Sequence, residues 1–454
     1  MSTLDTDHLL SLASKLVEMS LANGVDVAEA SARQGWELST KVRLGETELV
    51  QESGHHSVAL RLIRDKRVAT TSTSDVTEDG LRRCVQDAVE LLELTEPDAW
   101  AGPADPALLA RGPHPDLDLF DPAIDSIDAE QAIALARKGE AAALSSDPRL
   151  TLSEGASFSR VSGASALVLS SGFKGVSKGS YASLSVTPVA IDAQDKRRRG
   201  SYWTARRHFA DLEDVEAVGR EAARRTLRQL GPQKVASCEV PVIFDQDAAR
   251  SIVGTFAGCI LGGAIWRKSS YLADRIGTSV ASPLVTFTDN PLMLRGPGSR
   301  GFDGEGVPTR VNVVVASGVL ETFLLDSYSA RKLGLTTTGN ASRAGASVSA
   351  STSNFIMSAG ASTPDEIIAD TKRGLLVTEM MGFGFNAVTG DFSRGAAGFW
   401  IENGAIVHPV GEITISGNLN EMLLGIDAVA SDLDTKTSIA APTFRVNSMT
   451  ISGT

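Results

Sequence analysis

Between Leu150 and Leu230 the apolar residues change their spacing, and the chain then stops at Gly231-Pro232. The stretches LTLSEGASFSRVSG, ALVLSSG, SYASLSVTPVAI and SYWTARRH alternate apolar or small residues with polar ones, which predicts antiparallel strands with polar outer faces. From Leu212 to Leu230 the spacing becomes helical. Gly231-Pro232 then marks a domain boundary. A chain of 454 residues is too long for one ordinary core. Two domains are therefore expected, 1–230 and 235–454, both of α+β class, with helices packed on largely antiparallel sheets.

The rest of the first half reads in the same way. Leu9, Leu12, Leu16 and Val17 recur at helical spacing and end near Asn23-Gly24, a C-cap signal. Val58, Leu60 and Leu62 alternate as in a strand. Asp75 or Thr77 is placed to cap the next helix, and another helix follows Asp128. Residues 96–118 are rich in Pro, Gly and Asp and predict a long surface connection. In the second half, CEVPVIF predicts a strand, residues 251–277 begin a helix, and VNVVVASGVLETFLL predicts a hairpin around Ser317-Gly318. The remainder predicts a Gly-rich, β-dominated domain.

Charge and cysteine content narrow the function. A net charge of −12 repels phosphate backbones, so direct nucleic-acid binding is not expected. The one basic run, Lys196 to Arg199, has Asp192 and Asp195 beside it and reads as a solvated turn. Three cysteines without a CxxC pair fit a reducing compartment. The N-terminus lacks the pattern of a signal peptide, and the apolar run 251–266 is too short to span a bilayer. A cytoplasmic protein without membrane contact is expected.

Short motifs tempt, each in the wrong setting. Gly175-Val176-Ser177-Lys178-Gly179 matches GxSxG, but the residues after it alternate like a strand where a nucleophile elbow needs a helix; a hairpin turn is expected instead. Gly296 to Gly301 matches GxGxxG but runs into Phe302-Asp303-Gly304-Glu305-Gly306, which starts a helix poorly. No two of the six histidines have HxxxH spacing. Cys259 sits in an apolar helix without a nearby base or cation, as a small hydrophobe would. Asp303 and Glu305 have the spacing to chelate a cation, although a solvated turn is the plainer expectation.

The C-terminal third carries a more specific signal. LLVTEMMGFGFNAVTGDFSRGAAGFWIENGAIVHPVGEITISGNLNEML, with FDGEGVPTR, SYSARKLGLTTTGNA and the amino-terminal ELSTKVRLGETE, closely resembles the TldD/PmbA family, and within it the PmbA or TldE branch. The resemblance covers essentially the whole chain. It implies a two-component metalloprotease acting on peptides, in which the TldD subunit holds zinc through an HExxxH helix and a distant cysteine. The TldE subunit lacks that site and helps enclose the catalytic chamber, into which an extended peptide enters.

By this resemblance the HExxxH positions fall on Val253, Gly254 and Gly258, and no His, Asp or Glu occurs from Ala248 to Tyr271. Aliphatic carbon and bare backbone cannot ligate zinc or act as general base. No catalytic residue and no metal are therefore expected in this chain, with zinc in the TldD-like partner. Gly258, Gly262 and Gly263, together with Asp391, Phe392, Arg394, Phe399 and Trp400, form the candidate surface for partner or substrate. An internal Arg394–Asp391 pair is the plainer expectation for that side chain, and tight intrachain packing of the glycines stands as an equal alternative. A homodimer is expected to be possible for the isolated chain. The rival functions are a stand-alone hydrolase using Cys259 or the Asp303/Glu305 loop, and a regulatory interaction module linked to gyrase or an antitoxin.

Overall fold

The computed structural model describes residues 4–193 and 195–453. The first half contains α1 (Thr6–Ala22), β1 (Val27–Arg43), β2 (Glu46–Arg64), β3 (Arg67–Thr73) and α2 (Glu78–Leu94). A short α3 (Pro122–Asp125) leads into α4 (Ala129–Leu144), β4 (Leu152–Leu169) and β5 (Lys174–Ile191). The short β6 (Arg197–Arg199), then β7 (Tyr202–Arg206) and α5 (Val215–Leu227) follow. Local chemistry sets the ends. Asn23 caps α1, with Gly24 in the left-handed region at φ +74°. Thr77 accepts from the Gly80 N–H at 3.2 Å, and Asp128 forms a capping box with Gln131.

All seven strands join one antiparallel sheet of order β3-β2-β1-β4-β5-β6, with β7 also on β5. β1 has 17 residues, roughly 55 Å of extended chain, so two helix layers fit side by side on one face. Ala28, Ala30 and Ala32 of β1 pack with Leu60, Leu62, Ala166 and Val168 beneath α1 and α2. Leu38 and Val42 share their parity and pack with Phe158, Leu184 and Val186 beneath α4 and α5. Helices α4 and α5 meet through Gly139 and Gly219, where a Cβ on Gly219 would strike the Gly139 carbonyl.

The second half contains β8 (Cys238–Phe244), α6 (Gln246–Cys259), α7 (Gly262–Trp266), β9 (Phe287–Asp289), β10 (Asn312–Ala316) and β11 (Val319–Leu320). Next come α8 (Ser327–Leu333), β12 (Ala341–Ala344), β13 (Ser347–Ala350), β14 (Phe355–Met357) and α9 (Pro364–Asp370). The chain ends with β15 (Arg373–Met381), β16 (Asp391–Glu402), β17 (Ala405–Asn418), α10 (Leu419–Leu424), β18 (Ile426–Val429), β19 (Ile439–Ala440) and β20 (Phe444–Ser452). One sheet runs β17-β16-β15-β8-β20-β18, and β17 also pairs β20, so five of its strands close into a ring. A second sheet runs β11-β10-β9-β14-β19. The class is α+β; the β8/β15 and β14/β19 pairs are parallel within otherwise antiparallel pairing. The expected hairpin is β10–β11, turning through Ser317 and Gly318 at φ +44° and +86°.

Three expectations need correction. GxSxG lies on β5 itself, just after the turn that ends β4, with Ser177 Oγ 2.8 Å from Ser165 Oγ. The basic run forms β6, where Arg198 pairs with Asp192 and Arg199 with Glu154. The helix begun before residue 251 ends at Cys259, because Gly262 turns to donate its N–H to the Leu324 carbonyl and packs against Ser329 of α8. Among the described residues no helix is long and apolar enough to cross a membrane.

The sheet face opposite the helices meets the second half. There Glu29 of β1, 1% exposed, lies between Arg61 of β2, at 2.9 Å, and Arg343 of β12. Burial opposes its ionisation, but the two guanidinium groups outweigh that and hold its carboxyl below the ordinary value.

Two stability tests follow from this packing. Gly219→Ala should lower the stability of the chain by about 1–3 kcal/mol through overpacking, although alanine is the better helix former by about 1 kcal/mol. A raised midpoint in denaturant unfolding would contradict the close α4–α5 crossing. Glu29→Gln leaves two buried arginines without their counter-charge and should cost about 3–5 kcal/mol at neutral pH. Because the folded-state pKa is depressed, this stabilisation is present above the ordinary glutamate value of about 4.3 and is lost as pH falls through the lower folded value. Thermal unfolding against pH should show the wild-type and Glu29→Gln curves converging in that acid range; a constant gap would count against the ion-pair account.

Candidate functional site

Helix α6 has two unlike faces. Ala249, Ile252, Val253, Phe256 and Ala257 are buried in the large core of the second half, where Phe256 stacks on Phe287 at 4.8 Å between ring centres. Ser251, Gly254 and Thr255 are half-buried on the other side, and Gly258 is exposed. A Cβ at Gly258 would meet nothing within 4 Å, and at Gly254 only Ile439, at 3.5 Å. There is room here for larger side chains. Asp245 caps the helix by accepting from the Ala248 N–H at 3.0 Å, and burial pushes its carboxyl up to about 7.

Strand β16 borders this face through Arg394, whose Nη1 donates to Ser251 Oγ at 2.8 Å while its Nε has no partner. The expected pair with Asp391 is not what forms. Asp391 is exposed, and its carboxylate accepts from Thr389 at 2.6 Å and from Asn418. The loop before β16 carries Phe383, which is fully exposed.

Several candidate residues leave the surface. Val253 is fully buried, so this position of the HExxxH registration points into the core and not at the open face. Phe392, Phe399 and Trp400 are 2%, 3% and 4% exposed and are core side chains. Phe399 lies under the Arg228 guanidinium, and the Trp400 indole N–H donates to Glu402. Gly262 is closed by Ser329 and Leu325, which is the intrachain packing reading; Gly263 lies beside the Arg267 guanidinium. What remains open is the face of Gly254 and Gly258, with Arg394 at its side.

The other candidates lack reactive settings. Cys259 is buried, its thiol pushed up to about 12 by burial, and its Sγ–H donates to the Thr255 carbonyl at 3.4 Å. Asp303 and Glu305 are buried, which corrects the expected solvated turn. Asp303 accepts the N–H groups of Glu305, Val307 and Ala341, and Glu305 accepts from the Ser327 N–H. Burial pushes Glu305 up to about 7. These carboxyls brace backbone. Gly296 to Gly301 is a loop with no helix after it. Among the described residues no three His, Cys, Asp or Glu side chains gather as a metal-binding group.

A second hollow has no counterpart among the motifs. A cleft of about 730 Å³ lies between the helix-free face of the first sheet and the loops of the second half, with Arg33, Arg207, Arg300 and Arg343 in its wall. Its residues come from separated segments, so no local spacing reveals it.

Comparison with known proteins places this geometry. Models of the PmbA/TldA metallopeptidase domains match residues 28–92 (domain 1), 122–230 (central domain) and 237–453 (C-terminal domain). The chain is 37% identical over 436 residues to metalloprotease PmbA of Escherichia coli O157:H7, covering 96% of this chain and 94% of that protein. A crystal structure from Bacteroides thetaiotaomicron, described as a modulator of DNA gyrase, superposes with a TM-score of 0.92 at 27% identity, over 99% of this chain and 100% of that one. TldE from Thermococcus kodakarensis shares the fold with a TM-score of 0.86 at 21% identity, over 97% and 100%. The chain belongs to the PmbA/TldD metallopeptidase family.

Proposed function

We propose that this chain is the noncatalytic, PmbA/TldE-type subunit of a two-component metalloprotease that degrades or processes unfolded peptides. The observation that carries this reading is the open face of α6: Gly254 and Gly258 stand where side chains would fit, and from Ser251 to Gly258 the helix carries no carboxylate, imidazole or thiol. Zinc belongs to the TldD-like partner. This chain supplies a wall of the chamber, and its glycines let an extended peptide or partner backbone come close. Main-chain hydrogen bonds then hold substrates of varied sequence, because every peptide presents the same donors and acceptors. The burial of Cys259, Asp303 and Glu305 counts against a stand-alone hydrolase built on them.

Co-expression with a homologue carrying HExxxH tests the proposal. Cleavage of an unfolded peptide should need both chains and should stop with chelator. In that complex Gly258→Trp should reduce cleavage by about tenfold or more, because it fills the open face. It should not lower the melting temperature of the isolated chain, since nothing lies within 4 Å of the new Cβ and glycine is the poorer helix former. Peptide cleavage by this chain alone, or full activity of the Gly258→Trp complex, would contradict the assignment.

A further inference from the structure

The cleft between the two halves has a charge balance at odds with the rest of the protein. In a chain of net charge −12, four arginines line it: Arg33 of β1, Arg207 after β7, Arg300 in the loop after β9, and Arg343 of β12. Of the carboxylates nearby, Asp116 is exposed at the rim, and Asp303 and Asp289 act on Arg300 through space. Asp118 pairs with Arg295 at 2.7 Å, and Asp303 is buried on three backbone N–H groups. Glu29, behind the wall, is shared by Arg61 and Arg343. Among the described residues no carboxylate lies within ion-pairing distance of Arg33, Arg207 or Arg300.

Hydrogen bonding leaves the same gap. Arg207 donates to the carbonyls of Ser180, Gly296 and Pro297, and Arg33 to that of Arg343. Such bonds tether the halves without neutralising charge. The Nε and Nη2 of Arg300 have no partner in the chain. Arg33 is exposed at the cleft, where partial desolvation and repulsion from Arg343 lower its pKa. The unbonded Arg300 donors are buried, and buried donors are ordinarily bonded. The wall between the arginines mixes serine hydroxyls with apolar groups, among them Leu167 on the sheet and Phe302, tilted against His114 at 4.7 Å between ring centres. A volume of about 730 Å³ is in the range of small-ligand sites.

We propose that this cleft binds an oxyanion, with the guanidinium groups of Arg33 and Arg300 as its counter-charges. Two sources present that chemistry: the C-terminal carboxylate of a peptide, and a free phosphate-type anion. The site is separate from the open face of α6 and does not depend on the subunit reading.

Calorimetric titration of the full chain tests the proposal. The probes are the tetrapeptide Ala-Ala-Ala-Phe as free acid, the same peptide as its amide, and inorganic phosphate. Saturable binding of the free acid or of phosphate is expected, weakened about tenfold or more by Arg33→Gln and by Arg300→Gln. Loss of binding on amidation identifies the peptide carboxylate as the source, and binding of phosphate alone identifies the free anion. Ser177→Glu places a carboxylate in the cleft from an exposed strand position, and should weaken binding similarly even where an arginine variant melts early. The proposal is overturned if neither anion saturates, if the acid saturates no more tightly than its amide, or if Ser177→Glu and the folded arginine variants keep wild-type affinity.

Discussion

Packing of one face of α6 against the aromatic cluster of Phe256, Phe287 and Phe355 is the constraint on which the rest of the second half depends. These rings stack within 6.4 Å of one another, and Ile252 and Val253 are fully buried beside them. Each such side chain contributes about 1.5–3 kcal/mol by leaving water. The helix is held from behind, so what stands on its outward face is free to vary without loss of fold. Gly254 and Gly258 stand open on that outward face.

The halves are joined by charge and not by a broad apolar seam. Glu29 binds Arg343 across the boundary, while a small cluster of Leu167, Leu169, Phe173 and Val307 supplies the apolar contact. An arginine-rich junction of this kind places guanidinium groups beside a hollow, Arg300 with unbonded donors. The same residues that orient the two halves thus create a field suited to an anion.

Much of the fold was legible because its signals are local. The caps at Thr77 and Asp128, the Ser317-Gly318 turn and the CEVPVIF strand depend on neighbours in sequence. What depended on distant partners was not legible. The end of α6 is set by Leu324 and Ser329, more than 60 residues on. Phe399 and Trp400 looked like a contact surface because consecutive residues on a strand face opposite ways. Strand β16 is in fact covered on both sides, so Trp400 joins one core and Phe399 another. Arg394 found Ser251 and not Asp391, because α6 lies against its strand. Asp303 and Glu305 looked solvated but lie inside, where backbone N–H groups needed acceptors.

The central claim is that α6 kept its seat and gave up its metal. Metal content of the isolated, folded chain, measured by mass spectrometry after equilibration with zinc and removal of the excess, tests it most directly. The account predicts far less than one zinc per chain. Retention of about one tightly bound zinc per chain, held by tetrahedral nitrogen or sulfur donors, would contradict it.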